Sequence, residues 1–69
     1  MIARVCTAKA YNDAGCAEEL EKNIQLTLEE MSENGLFLKQ INYSSSCCSD
    51  SHERVVFEKS AVLIFDREK

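Results

Sequence analysis

Thiols and an imidazole crowd into one short run of this chain. "YSSSCCSDSH", residues 43–52, sets the adjacent cysteines Cys47 and Cys48 among serines, with the single histidine, His52, four residues on. Three chemistries use such residues. A structural zinc site needs a closed shell of four ligands, whereas Cys47, Cys48 and His52 offer three, with Asp50 as a possible fourth, at a spacing that matches no established zinc pattern. A redox centre calls for a Cys-x-x-Cys pair or a basic neighbour that lowers a thiol pKa, and the run has neither. Nucleophilic catalysis needs a cysteine, a base and an orienting third group within hydrogen-bond reach, and His52 is the only imidazole. The paired carboxylates Glu18-Glu19 and Glu29-Glu30 belong to the solvated face of a helix. The expectation is a protein that is not an enzyme and carries no metal and no cofactor.

Ligand binding has more physics behind it. Ser44, Ser45, Ser46 and Ser49 bring hydroxyls and free amides of the kind that cradle phosphate oxygens. Arg54 lies just beyond, and Lys39, Arg4 and Lys9 can add charge from neighbouring strands or subunits. Tyr43 and Tyr11 offer faces on which a base could stack. The candidate ligand-binding set is therefore Tyr43, Ser44, Ser45, Ser46, Arg54, Lys39, Arg4 and Tyr11. Set against it is the plainer reading of a solvated serine-rich connection. A connection of about ten residues is longer than a hairpin requires, and such length is commonly functional or disordered.

The elements that must position these residues follow from periodicity. Residues 2–11 read as a strand. Asn12 or Asp13 can cap a helix over 14–34, where Leu20, Ile24, Leu28 and Met31 form one apolar stripe with Ala17 and Thr27 beside it. Asn34-Gly35 stops it. "LFLKQINYS" then alternates, with Phe37, Lys39, Ile41 and Tyr43 on one face. After the polar run, residues 54–69 alternate again, and "AVLIF" at 61–65 is apolar on both faces. The order strand-helix-strand-strand predicts an α+β domain, one helix on a three-stranded sheet ordered 1-3-2. One helix cannot cover both faces of a sheet, so the other face is expected to meet further copies of the chain, with Val62 or Ile64 in the contact.

Composition bounds the rest. Sixty-nine residues make one domain, and 45% hydrophobic with 29% charged residues suits a globular chain. A domain this small usually needs disulfides, a metal or partner subunits. Met1-Ile2-Ala3-Arg4 runs directly into a mixed segment without a secretory pattern, so the four cysteines are expected to be reduced thiols in the cytoplasm. No run approaches the roughly 20 apolar residues of a membrane span. A net charge of −4 with scattered basic residues argues against a nucleic-acid partner, whose affinity would come from clustered cations.

"AEELEKNIQLTLEEM", "LKQINYSSS" and the closing "KSAVLIFDREK" resemble a family of small sporulation-associated proteins of spore-forming bacteria and their phages. The likeness is carried by Leu20-Glu21-Lys22-Asn23-Ile24 and by Ser60-Ala61-Val62-Leu63-Ile64-Phe65, where Phe65 stands in place of the usual Tyr; the double cysteine is outside the pattern. It implies fold and lineage rather than an activity. Element order and length are also similar to the dodecins, flavin-storing shells that stack flavin on a tryptophan this chain lacks. Small phage-encoded sponge proteins, which sequester nucleotide immune signals at oligomeric interfaces, are a further analogy. The uncovered sheet face, the long hydroxyl-rich connection, the isolated basic residues and the lack of a catalytic set predict a non-enzymatic oligomer that sequesters or senses a small phosphorylated ligand, an anti-defence sponge being one setting by analogy. The alternative is a sporulation-associated structural or interaction protein without a ligand.

Overall fold

The computed structural model describes residues 1–68, in the order β1 (Ile2–Ala10), α1 (Asp13–Glu33), β2 (Phe37–Ser49), β3 (Val55–Asp66). The sheet is ordered β1-β3-β2, with β3 antiparallel to both neighbours, and α1 packs on one face. This is the α+β arrangement that the element order predicts. Lys69, at the end of the predicted last strand, lies outside the described residues.

Both helix ends carry their signals. The Gly15 N–H donates to Asn12 Oδ1, so Asn12 is the N-cap. A Cβ at Gly15 would stand 2.8 Å from that oxygen, which is why glycine suits the position. At the other end the Gly35 N–H donates to the Ser32 carbonyl and the Leu36 N–H to the Met31 carbonyl, each at 3.0 Å, with Gly35 at φ 74°. This is a Schellman cap, and its left-handed residue is a glycine because a Cβ there is strained.

The buried stripe of α1 is Cys16, Leu20 and Met31, flanked by half-buried Ile24 and Leu28. Cys16 takes the place expected for Ala17, which is exposed. Its thiol is fully buried and sits 3.4 Å from both the Ala8 and Phe57 carbonyls, so a small polar donor suits that contact better than a methyl group would. The stripe covers Cys6 and Ala8 of β1 and Ala61, Leu63 and Phe65 of β3. Cross-strand partners share a face, so Ile41, Tyr43, Ser45 and Cys47 of β2 lie on this side too. The helix runs over β1 and β3 and reaches β2 only marginally.

Val62 and Ile64 alternate with the buried residues and turn to the opposite face, where Val5 pairs with Val62 and Ala3 with Ile64. No element of the described chain covers that face, and Val5 is 65% exposed.

The polar run is the main departure from expectation. Residues 43–49 are not loop: β2 continues to Ser49, paired in register with β3 from Ser44↔Ser60 to Ser49↔Val55. The reason is tertiary. The long β3 offers a ladder to its full length, Ser44 and Ser60 bond hydroxyl to hydroxyl at 2.8 Å, and Cys47 and Cys48 pair with Phe57 and Val56. The connection shrinks to a tight turn in which the Glu53 N–H donates to the Asp50 carbonyl and Glu53 takes φ 62°. A turn followed by one left-handed residue is a standard three-residue hairpin loop. A strand of thirteen residues spans about 44 Å at ~3.4 Å per residue, matching the molecule's long dimension of 46 Å.

Candidate functional site

Strand geometry scatters the predicted ligand set. Neighbours along a strand point to opposite faces. Tyr43 and Ser45 accordingly lie on the helix side, while Ser44 and Ser46 lie on the open side with Ser60 and Glu58. Cys47 and Cys48 are likewise split between the two faces, although both are exposed. Arg4 pairs with Glu30 at 3.4 Å, and one of its nitrogens points at Met31 Sδ. Lys39 sits at the register irregularity between Leu38 and Gln40, far along β2 from the turn.

One predicted pair does come together. The Arg54 guanidinium lies over the Tyr11 ring, 4.5 Å from its centroid, and donates to the Tyr11 hydroxyl at 3.3 Å. Asp50 organises this end. Its Oδ1 accepts the His52 and Arg54 N–H groups at 2.8 and 2.9 Å, and its Oδ2 accepts Arg54 Nε at 3.1 Å. The Arg54 N–H, more than any other group, holds the Asp50 carboxyl below its ordinary range; the His52 N–H, the Tyr11 hydroxyl and the Arg54 guanidinium add to this. The cluster ties the exit of β1 to the hairpin turn. Arg54 is thereby committed to Asp50 and to Tyr11.

A second constellation lies on the helix side. Asp13, Ser45, Cys47, Phe57 and Lys59 line a shallow cleft of about 280 Å³ beside the N-terminus of α1, together with Ser46, whose side chain turns to the open face. Lys59 Nζ stands 2.9 Å from Asp13 Oδ1, and that hydrogen bond raises the ammonium's pKa, keeping it charged. Phe57 supplies an apolar floor and Ser45 a hydroxyl opposite Lys59. Sequence reading passes over Lys59, Asp13 and Phe57. The available signal was Lys59 itself, the one charge in the otherwise apolar alternation Phe57, Lys59, Ala61, Leu63, Phe65.

Among the described residues no three His, Cys, Asp or Glu side chains gather closely enough to hold a metal ion. Cys6 and Cys16 are buried and all four cysteines are free thiols. No helix among the described residues is long and apolar enough to cross a membrane.

Compared with known proteins, the sequence matches no family model, no curated protein and no solved structure.

Proposed function

We propose that this chain is a non-enzymatic, homo-oligomeric binding protein of the cytoplasm, which sequesters or senses a small phosphorylated ligand of the nucleotide class. The observation that carries the reading is the helix-free face of the sheet, where Val5 is exposed and Val62 and Ile64 are only half-buried. Such a face favours burial against further copies. A chain this small builds a concave site most readily where subunits meet. The cleft at Lys59 supplies a cation, a hydroxyl and an aromatic floor on the helix side of the sheet, and Tyr11 with Arg54 supplies a stacking face with a charge on it at the hairpin end. Both clusters lie toward the same end of β3. The lineage we propose is that of the sporulation-associated proteins.

A second reading has its own observation. Arg4, Lys9, Arg54 and Lys59 are each paired with a carboxylate, on Glu30, Glu58, Asp50 and Asp13. Cations already neutralised favour an interaction or structural protein without a small ligand.

A thermal-shift screen against cyclic dinucleotides, ADP-ribose derivatives and flavins separates the two. A ligand at 100 times its dissociation constant stabilises the fold by about 2.7 kcal/mol, roughly 10 °C or more in a domain of this size. The binder reading expects such a shift, reduced in Lys59→Gln or Arg54→Ala. Silence across the panel, with a stable oligomer by light scattering, selects the interaction protein.

A further inference from the structure

The two edges of the sheet are unequally protected. Natural edges are blunted by charge, proline, bulges or covering elements. β1 carries Arg4 and Lys9, and α1 reaches over it: Asn23 Nδ2 donates to the Thr7 carbonyl at 3.0 Å. β2 carries one charge, Lys39, at the irregularity near its start. From Gln40 to Ser49 it has no charge, no proline and no glycine, and nearly every residue is exposed.

The ladder identifies which backbone groups face out. The Asp50 N–H donates to the Arg54 carbonyl at 2.9 Å, making that a hydrogen-bonded pair. Bonded and non-bonded pairs alternate along an antiparallel ladder, and the register from Ser49↔Val55 to Ile41↔Leu63 is unbroken. Ile41, Tyr43, Ser45, Cys47 and Ser49 therefore turn both backbone groups away from β3. The same alternation turns the Thr7 carbonyl outward on β1, where Asn23 meets it.

We propose that this edge of β2 is a pairing surface for a second copy of the chain, docked with its own β2 antiparallel about a two-fold axis at Ser45. Setting Ser45 opposite Ser45 places Tyr43 opposite Cys47 and Ile41 opposite Ser49, so all five outward residues find partners. Identical strands meet here without opposed like charges. Seven of the twelve acidic residues lie on α1 and none on β2, so an approach along this edge is the least repulsive for a chain of net charge −4. The contact is independent of the one through Val5, Val62 and Ile64. It joins two three-stranded sheets into a six-stranded one with both helices on one side. Tyr43 of the second copy then stands across from Cys47, on the side of the sheet that holds the Lys59 cleft.

Sedimentation velocity from low to high micromolar concentration tests this. Wild type should dimerise. Ser45→Pro removes an N–H that β3 does not use, leaving the native ladder intact while deleting an edge donor. It should raise the dimer dissociation constant roughly tenfold or more with an unchanged circular dichroism spectrum. Should Ser45→Pro fail to fold, Ser45→Lys, which sets two ammonium groups against each other, should weaken the dimer similarly. In a Cys47→Ser, Cys48→Ser background, Ser45→Cys should oxidise to a disulfide dimer with oxidised glutathione, because paired Cα atoms at about 5.5 Å suit that bond. Ser44→Cys, opposed to Ser46, should not. A wild-type monomer throughout, or an assembly that ignores both Ser45 variants and dissolves with Val62→Lys, overturns the proposal.

Discussion

Asp50 and Glu53 set the hairpin turn by opposite means. Asp50 contributes through acceptance: its carboxylate gathers two backbone N–H groups and the Arg54 guanidinium. Because these donors depress its folded pKa, the charged carboxylate contributes stability above the unfolded value near 3.9. That contribution is lost as pH falls through the lower folded value. Acid unfolding of wild type should therefore be steeper below about pH 4 than that of Asp50→Asn, followed by circular dichroism. Glu53, by contrast, is a non-glycine residue held at φ 62°. Left-handed backbone costs an L-residue with a Cβ about 1–2 kcal/mol. Glu53→Gly returns part of that while adding unfolded-state entropy, so a gain of about 0.5–1 kcal/mol should appear as a rise of a few degrees in Tm. Thiol chemistry divides just as sharply. Cys47 and Cys48 are exposed while Cys6 and Cys16 are buried. A thiol reagent should modify the first two quickly in the native protein and reach the others only on unfolding.

Elements were legible wherever their pattern was local. The helix was readable from its 3.6-residue stripe and from Asn34-Gly35, and the run of residues 61–65, apolar on both faces, marked the central strand. The second half of β2 was not readable, because Ser44 to Ser49 owe their strand conformation to β3. Serine hydroxyls satisfy turn and strand equally well, and only the partner decides. The candidate site suffered from the same blindness: residues adjacent in sequence, such as Ser44 and Ser45, read as one lining until pairing puts them on opposite faces. Tyr11 and Arg54 both belong to the candidate set, but their stacking on each other depends on the turn that brings residue 54 back beside the end of β1. Core packing at the element level is concentrated on β3. Leu63 is fully buried beneath α1, so Leu63→Ala should cost about 2–5 kcal/mol. That is enough to leave a domain of this size largely unfolded, as urea titration will show.

At the scale of the whole molecule, a single helix stabilises one face of the sheet and leaves the other in water. If Val5, Val62 and Ile64 meet another copy as proposed, Val62→Lys should shift light scattering toward smaller species while leaving the helix signal in circular dichroism intact. Topology carries a consequence of another kind. β1 and β2 do not touch; the one strand that pairs with either is β3, the last of the three in chain order, while α1 packs on β1 as well. The first strand to be synthesised thus waits for the last, an interval of roughly 3–11 s at 5–20 residues per second. Until then the nascent chain can form α1 but no sheet, and any prefix that stops short of Val55 holds two strands with nothing between them. The sheet is bound to close late, when β3 folds back on β2 through the tight turn and takes β1 on its other edge.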